Sequence, residues 1–413
     1  MEHAAPARFL SAHENTAAVP QPLALLPAPA PPDASAACLR AQLPPPRAGL
    51  RVCVIVPARN EADNLPATLA ALAAQRGPHG QPLPADHFEV LLLANNCTDD
   101  TAARGRQLAR QYPALALHVA ELHLEADHAH VGRARRLLMD EAAARFEQLD
   151  RPAGIIASTD ADTQVAPDWL AATQAEIAAG ADAVGGRILT DAETAVPPGS
   201  PTLAQLRHTQ QRDTDYRLLC AQLEHQLDPA PADPWPRHHQ HFGASLALTA
   251  RAYRQVGGLP EVRYLEDEAL CQRLRRHDLA IRHSPRVRVV TSARCEGRVE
   301  VGLSWQLREW QLLNQQQREP LVDNPVQLAQ QWQLRRQLRA WRAGQPGAET
   351  EALVTRLALP AAVVLAQVQQ ALTFGELWEW ALQNSPSLGL HQVPLSEALA
   401  VLPLLLNSVE PTP

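Results

Sequence analysis

Asp160-Ala161-Asp162 stands where an apolar run, AGIIAST, stops, and it sets two carboxylates one residue apart on a turn. Both can face one divalent cation, Mg²⁺ or Mn²⁺, whose shell is completed by water and by the oxygens of a diphosphate. The plainer alternative is an acidic turn, with Asp168 or a neighbour capping the helix that follows. A second acidic group opens the segment YLEDEALCQRLRR, where Glu266, Asp267 and Glu268 fall at a predicted helix N-terminus. The helix dipole and the free amides favour carboxylates there, and the arginines downstream can pair with them. One of these carboxylates could instead be a general base that takes the proton from an acceptor hydroxyl.

Polar loops after the first two predicted strands carry Pro57, Arg59, Asn60 and Glu61 in one case, and Asn95, Asn96 and Asp100 in the other. Each could hold a nucleotide or simply join strand to helix. Arg133, Arg135 and Arg136 in HVGRARR, with Arg294 and Arg298 in TSARCEGR, can neutralise phosphates through forked hydrogen bonds. His238, His239 and His241 lack a standard metal-ligand spacing and read as loop histidines. His241 is the one expected nearest the site, because it abuts FGASLAL.

The elements that must position these residues alternate. RVCVIVP, FEVLLLANN, ALHVAEL and AGIIAST read as buried strands, and DAVGGRIL continues the pattern. EADNLPATLAALAAQ, TDDTAARGRQLARQY and GRARRLLMDEAAARFEQL read as the helices between them. Buried strands alternating with helices imply parallel βαβ units and an α/β sheet covered on both faces, whose ligands gather at the carboxyl ends of the strands. Residues 195–237 read as a proline-flanked insertion around a helix from Thr202 to Leu227. HFGASLALTARAYRQVGGLP returns to strand, helix and turn. Residues 1–50, with ten of the 36 prolines, read as an Ala/Pro-rich, partly disordered arm, and residues 302–413 as a helical C-terminal region.

Composition narrows the chemistry further. All 37 basic residues are arginine, so a P-loop lysine, a Schiff base and a lysine general base are ruled out. The net charge of −7 gives no general attraction for nucleic acid. Six cysteines without C-x-x-C spacing argue against a zinc site or a disulfide scaffold. No apolar run is long enough to span a membrane, and the N-terminus has no basic signal-peptide region. A cytoplasmic enzyme is expected, with room for peripheral contact with a membrane.

The order of these segments adds to their individual meaning. VIVPARNEADNL, VLLLANNCTDDT, GRARRLLMD, ASTDADTQVAPDWL and FGASLALTARAYRQVGGLPEVRYLEDEALCQRLRR, taken in sequence, resemble glycosyltransferase family 2, the inverting GT-A enzymes. The resemblance covers roughly Arg51 to Arg298 and places a GT-A glycosyltransferase domain at 51–301. It implies a doubly wound, mostly parallel α/β sheet that binds a nucleotide-diphospho-sugar. By that likeness Pro57, Arg59, Asn60 and Glu61 border the donor nucleotide, with Asn96 and Arg135 also on the donor side. Asp160 and Asp162 match the D-x-D that holds Mn²⁺ or Mg²⁺, Asp162 being the more direct ligand. Asp267 matches the catalytic base, with Glu266 beside it, and Arg294 reaches the donor phosphates.

Two departures from the family pattern stand out. Asn95-Asn96 occupies a place where the family often has Asp, which leaves the donor base unread. No Q-x-x-R-W follows the E-D pair, so a processive polysaccharide synthase is not expected. Two other readings use the same sheet. One is a sugar-phosphate nucleotidyltransferase, against which stand the absence of a glycine-rich first loop and of lysine. The other is a catalytically silent binding or scaffold protein, against which stands the joint presence of Asp160, Asp162 and Asp267.

Overall fold

The computed structural model describes residues 34–190, 201–292, 302–345 and 350–409. The chain begins there with helix α1 (Ala34–Ala41) and then alternates: β1 (Val52–Ala58), α2 (Leu65–Ala73), β2 (Phe88–Asn95), α3 (Thr101–Gln111), β3 (Ala116–Leu122), α4 (Val131–Gln148) and β4 (Ile155–Ser158). After β4 come the short β5 (Thr163–Val165), α5 (Trp169–Ala178), β6 (Ala183–Thr190), the long α6 (Pro201–Leu227), β7 (Leu246–Thr249), α7 (Ala250–Gln255), α8 (Glu266–Arg276) and β8 (Ile281–Thr291).

The eight strands form one sheet in the order β3-β2-β1-β4-β7-β6-β8-β5. Strands β3, β2, β1 and β4 are mutually parallel, whereas β7 runs antiparallel to both β4 and β6. The side-chain period of two divides each strand between two cores. Cys53, Ile55, Leu91 and Leu93 face α1, α4, α7 and α8, while Val54, Val56, Val90 and Leu92 face α2, α3 and α5. This parallel-dominated sheet, with helices on both faces and a helical region following it, is the GT-A architecture that the resemblance implies.

Within the stretch expected to be an extended arm, the described part is packed. Leu39 and Leu50 are buried, Arg40 donates to Glu141, and Arg145 donates to the Pro44 carbonyl. The apolar side chains of α1 find a core face on α4, which the proline count of the segment does not reveal. Residues 1–33 lie outside the described residues.

The C-terminal region comprises α9 (Leu303–Gln315), β9 (Leu321–Asp323), α10 (Pro325–Arg342), α11 (Thr350–Leu357), α12 (Ala361–Gln370), α13 (Phe374–Asn384), β10 (Gln392–Pro394) and α14 (Leu395–Ser408). Helix α6 packs into it: Tyr216, Leu223 and Leu227 share a core with Trp332 of α10 and with Leu395 and Leu402 of α14. Helix α13 abuts the C-terminal end of α8, where Asp278 accepts from the Phe374 and Gly375 amides at 2.7 Å each. No single described helix is long and apolar enough to cross a membrane. Helices α11 and α12 reach that length and composition only together, and they are bent by 103° at their break.

Candidate active site

Strand β1 connects toward β2 on one side while pairing with β4 on the other, so the chain direction switches at the carboxyl ends of β1 and β4. A crevice opens at such a point in an open sheet. The loops 57–61, 95–100 and 159–163 all meet there. Two asparagines make their turns in the left-handed region, Asn60 at φ 55° and Asn96 at φ 48°, a conformation that asparagine tolerates better than bulkier residues.

The first two loops are knitted to each other. Thr98 donates its amide to Asn60 Oδ1 at 2.7 Å, and the Glu61 amide donates to Thr101 Oγ1 at 2.7 Å. Asn64 donates to the buried Glu61 carboxylate, and Arg59 donates to the Ala129 carbonyl at 3.0 Å. Pro57 lies within β1 and is buried. Asn96 uses both ends of its amide on Leu124, donating to the carbonyl at 2.9 Å and accepting from the amide at 3.0 Å. Its side chain thus ties the end of β2 to the segment after β3.

At the next loop Ala161 points into the core, which turns Asp160 and Asp162 outward on either side of it. Thr68 secures the turn by donating to the Ala161 carbonyl at 2.9 Å. Arg135, buried on α4, reaches across the crevice: Nη2 donates to Asp160 Oδ1 at 2.6 Å and Nη1 donates to Glu266 Oε1. Its Nε is buried without an acceptor. Arg133 and Arg136 of the same motif turn elsewhere, to Glu261 and to the Leu259 carbonyl.

Helix α8 starts from Leu265 in the left-handed region at φ 57°, which brings its first turn onto the crevice. There Asp267 accepts from two backbone amides, Oδ2 from Gly243 at 2.7 Å and Oδ1 from Glu268 at 2.8 Å. Gly243 also lies against Arg135, leaving no room for a side chain. Sequence reasoning did not single out this glycine. Its only signal is its place in HFGAS, beside the histidine expected near the site.

The electrostatics favour a cation. Burial pushes the Asp160 carboxyl above its usual range, Arg135 opposes that, and Asp162 and Asp267 add repulsion. Burial likewise raises Glu266, against the pull of Arg135 and with the help of Asp267. One guanidinium therefore serves three carboxylates, Asp160, Glu266 and Asp267. Asp160 and Asp162 supply hard oxygen ligands of the kind that Mg²⁺ and Mn²⁺ accept when substrate phosphates and water complete the shell. Among the described residues no group of three or more His, Cys, Asp or Glu encloses a metal by itself. The donor set therefore fits a cation shared with a substrate.

The structure brings Asp160, Glu266 and Asp267 together around Arg135, with Asp162 on the same turn as Asp160. It places Asn60 and Glu61 at the neighbouring loop. Arg294 lies outside the described residues. His241, expected close to the site, meets Glu268 in the first turn of α8.

Residues 53–222 match the family described as Glycosyl transferase family 2. No curated protein matches the chain. Among solved structures the chain is similar to the mannosyltransferase PcManGT from Pyrobaculum calidifontis in complex with GDP-Man and Mn²⁺, at 19% identity and a TM-score of 0.42, over 86% of this chain and 80% of that one. It is also similar to S. aureus TarS 1-349 in complex with UDP-GlcNAc, at 15% identity and a TM-score of 0.41, over 80% of this chain and 89% of that one. Over residues 53–222 the chain thus carries a glycosyltransferase family 2 domain, the domain of a glycosyltransferase.

Proposed function

We propose that the protein transfers a sugar, with inversion, from a nucleotide-diphospho-sugar to an acceptor hydroxyl, with Asp267 as the general base. The observation that carries this reading is the Asp267 carboxylate held by two backbone amides within electrostatic reach of both Arg135 and Asp160 of the D-x-D turn. A base fixed in that way, facing a diphosphate site, is what an in-line displacement needs. The acceptor O–H gives its proton to Asp267 while its oxygen bonds the anomeric carbon. The bond from that carbon to the diphosphate breaks on the opposite face, and the nucleoside diphosphate departs.

Asp160 and Asp162 would hold the Mn²⁺ or Mg²⁺, which when bound neutralises the departing diphosphate. Arg135 keeps Asp160 and Glu266 from repelling each other, so the acidic wall stays in place before donor arrives. Pro57, Arg59, Asn60 and Glu61 border the nucleotide in this reading, and Arg294 reaches its phosphates.

Calorimetric titration with UDP-, GDP- and dTDP-sugars, with and without Mn²⁺, tests it on the wild type and on Asp162→Ala. Metal-dependent binding of one donor, lost in the variant, is expected. Failure of the folded wild type to bind any donor would overturn the reading in favour of a silent scaffold.

A further inference from the structure

Ser158 of β4, Leu246 of β7 and Gly185 of β6 form one row across the sheet. Strand β7 runs against both of its neighbours, so β4 and β6 point the same way. Asp160, Gly243 and Arg187 all stand just beyond that row, at the end of the sheet where the crevice opens. In strand order, Gly243, whose amide holds Asp267, comes between the D-x-D turn and Arg187. Neighbouring strands are spaced by about 4.8 Å, which puts β6 about 10 Å from β4.

Arg187 is half-buried, and its Nη1 is wholly buried with no hydrogen-bond partner. Burial weakens its hold on its proton, and no carboxylate opposes that effect. The buried Arg135, Arg145, Arg237 and Arg282 differ, because each grips a carboxylate. A guanidinium drawn out of water without a counter-ion carries a cost that a bound anion would remove.

A second unmet group lies alongside. The Ile188 amide donates to Gln240 Oε1 at 2.8 Å and the Ile188 carbonyl accepts from Gln240 Nε2 at 3.1 Å, which lays His239 and Gln240 along this part of β6. His239 Nδ1 is buried there without a partner. Burial pushes its imidazole well down, and the charges acting on it most strongly come from Arg217, His238, Arg187 and His241, none of them acidic. Arg217 is already taken by Asp213, through two bonds of 2.6 and 3.1 Å. The His239 ring is thus neutral and has one N–H to offer beside an arginine that lacks an anion.

We infer that Arg187, with His239 beside it, is an anion subsite for the acceptor: the molecule that presents its hydroxyl to Asp267 carries a phosphate or a carboxylate, which the guanidinium takes in a forked bond. The inference rests on the proposed role of Asp267. It sets the acceptor's anion on the β6 side of the base, and the donor's diphosphate on the β4 side.

Calorimetric titration of the full-length protein with glucose 6-phosphate, glucuronate and glucose, without Mn²⁺ so that no cation on the D-x-D turn holds the phosphate, tests this. At least one of the two anions should bind more tightly than glucose, and the tighter one identifies the group. Arg187→Met, which keeps the apolar stem, should weaken that anion by about 10–100-fold and leave nucleotide-sugar binding unchanged. Arg187→Lys should fall between the two, because it keeps the charge but loses the fork. Without ligand, Arg187→Met should melt no lower than the wild type, since it removes an unpaired charge. A wild type that prefers neither anion over glucose, an Arg187→Met protein that binds the anion as the wild type does, or one that melts lower would overturn the subsite. Failure of every nucleotide sugar to bind overturns the transferase reading separately, because the anion titration uses no donor.

Discussion

The guanidinium of Arg135 lies face-on against Gly243: a β-carbon at that glycine would stand 2.3 Å from Cζ and 2.5 Å from each terminal nitrogen. The same residue gives its amide to Asp267, so one backbone position touches both the bridging cation and the base. Gly243→Ala should therefore displace Arg135 from Asp160 and Glu266. We expect a stability loss of about 1–3 kcal/mol from overpacking, read by urea denaturation, together with loss of transfer.

Asp267→Asn keeps the shape and still accepts through its remaining oxygen, but it cannot take a proton. Transfer should fall by about 10²–10⁴-fold while donor binding by calorimetry is retained. Equal loss of both would place Asp267 in donor binding instead of proton transfer.

Asp160 binds its proton more tightly in the folded chain than in the unfolded one, because desolvation and the neighbouring acids Asp162 and Asp267 outweigh Arg135. A carboxyl raised in this way costs stability as pH climbs from its ordinary value through its folded one. Asp160→Asn, which mimics the neutral form and can still accept from Arg135, should raise the melting temperature at neutral pH. The gain should vanish below the ordinary carboxylate range. Scanning calorimetry at several pH values reads both, and activity should be lost throughout.

Glu89 has the opposite sign. Burial disfavours its charge, but hydrogen bonds from His118 and Arg145 outweigh burial and hold the carboxyl below its usual value. Arg145 grips it with two bonds of 2.6 and 2.7 Å, and both side chains are 2% exposed. The stabilisation is present above the ordinary carboxylate range and is lost as pH falls through the lowered value. Glu89→Gln leaves the buried arginine with only the longer Glu141 pairing at 3.8 Å and should cost about 3 kcal/mol in urea unfolding at neutral pH, and less in acid.

Strands β1 to β4 and β6 were legible because each is a short apolar run that stops at polar residues, and the helices between them carry their own spacing. Strand β8 was not. Its sequence, IRHSPRVRVVT, looks polar, but Arg282 is buried against Asp233 and Ser284 is buried donating to Glu176, while Arg286 and Arg288 face outward. The acidic residues of the site could be read because they follow a strand or open a helix, places where chemistry and chain geometry coincide. Gly243 and the His241–Glu268 link could not. They depend on the segment 240–245 crossing close over Gly185 and Gly186, where a β-carbon would stand 2.3 Å from the Gln240 carbonyl oxygen and 2.1 Å from Ser245 Oγ. Local sequence carries no record of which loop passes over a glycine.

The family match ends at residue 222, inside helix α6, which runs on without interruption to Leu227. The two lobes thus share a single rod. Its far half buries Leu223 and Leu227 among the C-terminal helices, and Glu224 and Asp228 bind Arg335 across the same seam. A severed N-terminal lobe would carry a greasy, acid-tipped stump, and α8 would lose the α13 buttress against its end. Melting should consequently be a single cooperative event, in which the sheet and the helical bundle come apart together.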